Sequence, residues 1–173
     1  RIASIFVMIV FGINQGMQPM VGYNYGARRY DRVNNTLKLG IIAATCVTCF
    51  GFILGMFFPH IVAMAFTTDE TLLAVTEEGL RIVMLFFPFV GFQVVTSSFF
   101  QSIGMAHKAI FLSLTRQLIF LLPLLLILTP IFGSKGVWCS MPISDAFAVI
   151  LAVILLVNQF KKFKKQELTP NTL

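Results

Sequence analysis

The sequence predicts an all-α integral membrane protein, built as a bundle of five transmembrane helices. Three observations predict this fold class. The 173 residues have a mean hydropathy of +0.87, and 57% of them are hydrophobic. Only 12% are charged, which is about half the share found in soluble domains. The charges fall in clusters, and the apolar runs between them are long enough for the roughly 20 helical residues that cross a bilayer.

The five predicted spans follow one another along the chain between these charged clusters. The second is uncharged and is closed by Pro59, and the third is interrupted by Pro88. The fourth contains Arg116 and the fifth contains Asp145. In order, the predicted spans are residues 2–23, 39–58, 82–103, 109–132 and 137–160.

The charges between the spans predict which connections face the cytoplasm. Lysine and arginine are the main charged residues in the connections after the first and third spans and in the segment after the fifth span. The connection after the second span instead has four acidic side chains within residues 69–78. Because cytoplasmic loops carry an excess of Lys and Arg, we expect those basic connections inside, with residues 161–173 as a basic cytoplasmic tail. The acidic loop and the turn at Lys135 are expected outside. Since Arg1 opens directly into an apolar run, we interpret the chain as the C-terminal part of a longer polypeptide.

The acidic loop contains a sequence typical of a helix start. Thr67 and Glu70 are spaced as in a capping box, which predicts a short interfacial helix leading into the third span. We interpret the acidic residues of this loop as a solvated face rather than a metal site.

The sequence disfavours several other kinds of protein, namely nucleic-acid-binding proteins, metal-binding proteins and enzymes. The net charge of +6 lies at the ends of apolar runs, as membrane topology requires, so no nucleic-acid partner is expected. Cys46 and Cys49 form a C-x-x-C inside an uncharged apolar run, and we interpret them as small buried hydrophobic residues. His60 and His107 lack clustered ligands, so we predict no metal site and no cofactor. The sequence also lacks the motifs of an intramembrane enzyme, so we predict that the chain is not an enzyme.

Polar residues mark one face of the first span. Asn14, Gln15, Gln18 and Gly22 fall within an arc of about 100° at 3.6 residues per turn. A polar group in hydrocarbon needs a partner, so this stripe is expected to face other helices or a cavity. Pro19 should bend the helix beside it. The alternative interpretation, hydrogen bonding that holds neighbouring helices together, stays open.

The third span repeats the pattern. Gln93, Ser97 and Gln101 are spaced by four on one helical face, and Phe89 lies on the same stripe. Phenyl rings alternating with amides suit a large amphipathic ligand, and they equally suit ordinary helix packing.

Two ionisable residues fall inside spans. Counting 1.5 Å per residue from the predicted helix ends places Arg116 and Asp145 at different depths. A direct salt bridge would therefore need bending or long reach, and we expect the two to be separate. Because a carboxyl group at mid-membrane needs water, a hydrogen-bonded pocket or a proton, Asp145 is the best candidate for carrying a proton. Ser144 and Met141 are expected beside it.

These residues resemble those of a known family. GINQGMQPMVGYNYGARRYDRV (12–33) is similar to the second-half signature of the MATE multidrug and toxic compound extrusion transporters, in particular the MepA-type bacterial exporters. FQVVTSSFFQSIGMAHKA (92–109), RQLIFLLPL (116–124) and GVWCSMPISDAF (136–147) resemble the same family, in the same order. The resemblance implies that the five spans are the C-terminal part of a twelve-helix transporter with two lobes.

The resemblance also implies a function. We expect secondary active multidrug efflux, in which amphipathic and usually cationic drugs leave the cell by ion-coupled antiport through a bacterial plasma membrane. The expected partners are the lipid bilayer, small-molecule drugs and the missing N-terminal lobe. Val90 stands near the place where some sodium-coupled relatives carry a carboxylate, so we expect H⁺ rather than Na⁺ as the coupling ion.

One alternative function comes from a different substrate class. A lipid or lipid-linked oligosaccharide flippase of related architecture would need a larger and more cationic cavity for pyrophosphate. Within the predicted spans only Arg116 is available for that purpose.

Overall fold

The computed structural model describes residues 2–64 and 70–168, and these form helices joined by short connections. Thr67 of the predicted capping box lies outside the described residues. The helices are α1 Ile2–Gly26, α2 Tyr30–Phe57, α3 Pro59–Met64, α4 Glu70–Met84, α5 Phe87–Ser102, α6 Ala106–Leu114, a π-helical segment Thr115–Leu121, α7 Leu122–Phe132 and α8 Ser134–Leu168.

Up to five membrane crossings can be made by the described helices. Four are long and apolar enough to span a bilayer singly: Ala3–Gly26, Tyr30–Phe57, Ala106–Phe132 and Ser134–Lys164. A fifth crossing is a bent pair, Val75–Met84 followed by Phe87–Ser102, with an angle of 52° between the two helices. The predicted all-α membrane fold is therefore confirmed.

The third span departs from its prediction because it is broken before Pro88 rather than at it. Helix α4 ends at Met84, and α5 begins at Phe87 with Pro88 in its first turn. A proline ring clashes with the carbonyl four residues earlier, which here belongs to Met84. Proline is well tolerated in a first turn, where its missing N–H is not needed. The chain therefore ends one helix at Met84 and starts another at Phe87.

Helix α2 is the element against which α1, α4 and α5 pack. Its buried side includes three glycines, and each leaves a notch that a side chain of a neighbouring helix fills. A Cβ atom at any of these glycines would come within 3.0 Å of the filling side chain. The notches and their occupants are Gly40 with Met17, Gly51 with Phe6 and Phe87, and Gly55 with Met84.

One end of the bundle, here called the basic end, brings together the α1–α2 turn, the start of α6 and the end of α8. The ring of Phe163 stacks on Tyr30 with 4.9 Å between centroids and lies 5.8 Å from Tyr25. Nζ of Lys108 donates a hydrogen bond of 2.9 Å to Oε1 of Gln159. The three connections predicted to share one side of the membrane therefore lie at the same end.

At the opposite end, here called the acidic end, two pairs of side chains from different helices approach to hydrogen-bond distance. His60 and Glu77 approach to 2.6 Å between Nδ1 and Oε1. Lys135 and Glu78 approach to 2.6 Å between Nζ and Oε1. The acidic segment and the Lys135 turn therefore meet at one end, as their predicted placement on one side requires.

Candidate functional site

A polar cleft of about 310 Å³ opens between α1, α5 and the helix that contains the π-helical segment. Its charged residue is Arg116, and Phe11 of α1 forms part of the apolar wall. Side-chain amides and hydroxyls line the remainder of its polar surface. These residues are Gln93, Gln101, Gln117, Ser97, Ser98 and Ser113.

Arg116 is fixed on one side of this cleft by two neighbours from α8. Its Nε donates a hydrogen bond of 2.7 Å to Oδ1 of Asp145, which is only 7% exposed. The hydroxyl of Ser144 donates a hydrogen bond of 2.8 Å to the backbone carbonyl of Arg116. Consecutive residues of α8 thus hold both the side chain and the backbone of Arg116.

The ion pair corrects the expectation that Arg116 and Asp145 lie apart. Both helices begin three residues before their predicted starts, at Ala106 and at Ser134. At 1.5 Å per residue, Arg116 lies about 15 Å from one end and Asp145 about 16 Å from the other. Arg116 lies 16 residues before the end of α7 and Asp145 lies 11 residues after the start of α8, so their depths differ by only about 8 Å, which the long arginine side chain spans.

The backbone around Arg116 is π-helical from Thr115 to Leu121. The N–H of Leu122 donates to the carbonyl of Gln117, five residues earlier, as in a π-helix. Pro123 follows directly and has no N–H to continue the α-helical ladder. Single π-helical turns are frequent at functional sites, and this one carries Arg116 and Gln117 into the cleft.

The polar stripe of α1 is split between two faces. Asn14 is 1% exposed and packs on the same buried face as Val10 and Met17. Among the described residues, its side chain has no hydrogen-bond partner. Gln15 is exposed and Gln18 is half-buried, and neither lines the cleft. Asn14 thus lies at the buried edge of the predicted arc and Gln15 at its exposed edge, and the prediction that the stripe faces a shared cavity stays a prediction.

The stripe of α5 is brought to the cleft, except for Phe89. Gln93 is 4% exposed, and its Oε1 has no partner among the described residues. Ser97 lies 3.3 Å from the hydroxyl of Ser113, and Gln101 is exposed along the cleft. Phe89 is 49% exposed and its ring pairs with that of Phe86 outside the cleft.

Met141 lies apart from the ion pair. It lines a separate, mostly apolar groove of about 400 Å³ with Trp138 and residues of α4. Six cleft residues were missed from the sequence: Phe11, Val94, Ser98, Leu112, Ser113 and Gln117. Arg116 and Gln117 follow Ser113 by three and four residues, so the three polar residues share one side of an otherwise apolar helix, and that signal could have identified Ser113 and Gln117.

Within residues 2–64 and 70–168, no three His, Cys, Asp or Glu side chains converge as a metal ion would need. Cys46, Cys49 and Cys139 are free thiols.

Comparison with known proteins identifies the family to which this helical bundle belongs. A family model described as MatE matches residues 1–131. Multidrug export protein MepA of Staphylococcus aureus (strain NCTC 8325 / PS 47) is 24% identical over 161 residues, covering 90% of this chain and 34% of that protein. The protein of the same description from Staphylococcus haemolyticus (strain JCSC1435) is 20% identical over 158 residues, covering 91% of this chain and 34% of that protein.

Solved structures agree with the family model. A structure of the MATE multidrug transporter DinF-BH superposes with a TM-score of 0.85 at 42% identity, covering 91% of this chain and 35% of that one. A MATE crystal structure in complex with MaL6 gives a TM-score of 0.87 at 23% identity, covering 95% and 38%, which shows the fold alone. The chain spans about a third of the length of these relatives. From the family model that covers most of its length, the chain belongs to the MatE family of transporters.

Proposed function

We propose that the chain is the C-terminal part of a secondary active multidrug exporter. It would move amphipathic, cationic drugs out of a bacterial cell by antiport with protons. The single observation that supports this proposal most is the polar cleft, which places Arg116 and three amides inside an apolar helical bundle. Polar groups at membrane depth mark substrate or ion pathways.

The Arg116–Asp145 pair is our candidate for the coupling step. The carboxylate is held by the guanidinium at 2.7 Å within apolar helices. A proton on Asp145 would remove its charge and with it the ionic part of this contact, which would free Arg116 to change its partner. A proton-dependent switch in a pair that lies beside the drug cleft would link proton movement to drug movement.

The remaining parts of the exporter are proposed from the family and the charge pattern. The missing N-terminal lobe would close the cleft from the other side, and the bilayer would surround the bundle. The protein would lie in the plasma membrane with the basic end in the cytoplasm. Protons are preferred to sodium because the described residues that line the cleft include no carboxylate. The cleft contains one cation, which disfavours a pyrophosphate-linked flippase substrate.

The test is drug efflux by the full-length exporter in cells, measured as ethidium fluorescence at several external pH values. Asp145→Asn should lower efflux and flatten its pH dependence, because the amide cannot exchange a proton. Asp31→Asn is the matched control, since Asp31 is exposed at the basic end, and it should transport like the unmodified protein. A pH profile that Asp145→Asn leaves unchanged would assign Asp145 a packing role.

A further inference from the structure

Two lysines from different helices lie close together at the basic end. Nζ of Lys108 donates a hydrogen bond to the amide oxygen of Gln159 and lies 5.2 Å from the centroid of the Phe100 ring. Both of these partners are neutral. Lys162 is near enough to Lys108 for the two positive charges to repel each other. Among the described residues, neither lysine forms an ion pair with a carboxylate, so the charge of this pair is not compensated.

The helix that carries Lys108 adds to the positive charge at this position. Lys108 is the third residue of α6, and the N-terminus of a helix carries a partial positive charge. A cation in the first turn of a helix is therefore unfavourable, whereas an anion there is stabilised. The same anion would also relieve the repulsion between Lys108 and Lys162.

The turn between α1 and α2 brings further cations to the same end. Tyr30 stacks on Phe163, which holds this turn against the end of α8 beside the lysine pair. Arg28 and Arg29 are exposed in the turn, and Asp31 follows them in the first turn of α2. Because the two arginines outnumber the one carboxylate, the surroundings of the lysine pair stay positive and attract anions.

The two lysines also lie at the depth of phospholipid headgroups. Lys108 is in the first turn of the span Ala106–Phe132, and Lys162 is in the last turn of the span Ser134–Lys164. The ends of a spanning helix lie where the hydrocarbon core meets the headgroups. Basic pockets between transmembrane helices at this level bind anionic lipid headgroups, and the phosphate of a lipid is already present at that depth.

We propose that Lys108 and Lys162 form a headgroup site for an anionic phospholipid of the surrounding bilayer. The two amines receive the lipid phosphate, and Gln159 holds the amine of Lys108 in place for it. The site lies on the surface that faces the membrane, apart from the polar cleft, so the inference does not rest on the proposed export function.

The test measures lipid binding to the purified full-length protein in detergent by native mass spectrometry. The probes are phosphatidylglycerol, which is anionic, and phosphatidylcholine with the same acyl chains, whose choline group balances the phosphate charge. Lys162→Gln should weaken phosphatidylglycerol binding about fivefold, since one lysine near an anionic lipid is worth about this factor, and it should leave phosphatidylcholine binding unchanged. Lys162 is exposed, so its replacement should not disturb folding.

Lys161→Gln is the matched control because it removes the same charge from the neighbouring position. Lys162 shares a helical side with Gln159, three residues earlier, whereas Lys161 is turned by about 100° from it. Lys161 is also exposed, and its replacement should weaken phosphatidylglycerol binding less than twofold. Equal weakening by the two variants would mean a diffuse attraction to the basic end and would reject the site. Unchanged binding by Lys162→Gln would reject it as well.

Inorganic phosphate distinguishes a lipid site from a site for a soluble anion. A large excess of inorganic phosphate should not displace phosphatidylglycerol from the unmodified protein, compared with sodium chloride at the same ionic strength. Displacement by inorganic phosphate would show that the lysine pair takes a free anion, and the lipid site would then be rejected.

Discussion

The contact between α2 and α5 depends on Gly91, and Gly91→Ala should destabilise the bundle. A Cβ atom at this position would lie 2.8 Å from the carbonyl oxygen of Ala44 and 2.9 Å from Oγ1 of Thr48. Ordinary van der Waals contact begins near 3.4 Å. Because the closest atom belongs to the backbone of a packed helix, it cannot turn aside as the end of a long side chain can.

The destabilisation expected from Gly91→Ala has two sources. Overpacking of a close-packed interface costs about 1–3 kcal/mol. Separating the helices would also lengthen the 3.1 Å hydrogen bond from Thr48 to the carbonyl of Pro88, and such interhelical bonds are worth about 0.6–1.7 kcal/mol. Together they predict a loss of about 2–5 kcal/mol in the free energy of unfolding.

The assay is unfolding of the purified protein in mixed micelles, followed by circular dichroism as the fraction of SDS is raised. Gly12→Ala is the matched control, since a Cβ at Gly12 would meet nothing within 4 Å, and it should be neutral or slightly stabilising. If Gly91→Ala unfolds at the same SDS fraction as the unmodified protein, or if Gly12→Ala is equally damaging, the packing argument is refuted.

Two further predictions use the same unfolding assay. Arg116→Leu should cost about 3–5 kcal/mol because it leaves the carboxylate of Asp145 buried without its partner. The double change Arg116→Leu with Asp145→Leu should recover most of that loss, and failure to recover it would show that the ion pair is not the cause. Lys135→Ala should produce no measurable loss, because Lys135 and Glu78 are both exposed and solvent screens their attraction. A clear loss would mean that this pair holds α4 to α8.

The general architecture could be predicted because membrane burial imposes a strong signal on composition. Apolar runs and charged clusters were enough to identify the spans and the connections that lie at the same end. The residues at which each helix begins and ends were harder to predict from the sequence. Helix α2 begins at Tyr30, nine residues before the predicted span, because a helix can extend into water beyond the apolar segment. Hydropathy reports the part inside lipid, whereas hydrogen bonding sets where the helix begins.

The sequence predicted which residues form the candidate site better than it predicted how those residues are arranged. Gln93, Ser97, Gln101 and Arg116 could be selected because polar side chains are rare in lipid, and the structure brings them together in one cleft. The pairing of Arg116 with Asp145 depended on helix starts that differed by a few residues from those the apolar pattern marked. The buried position of Asn14 depended on which neighbour covers each face of α1, and that information is not local to the helix.

The glycine notches of α2 have a consequence for motion. Gly51 and Gly55 lie one helical turn apart, and each is filled by side chains from neighbouring helices. A neighbour that slid along α2 by less than a turn would press its side chain against the wall between two notches. Relative sliding of these helices would therefore occur in steps of about 5–6 Å, one helical turn at a time. Positions between two such steps would be disfavoured.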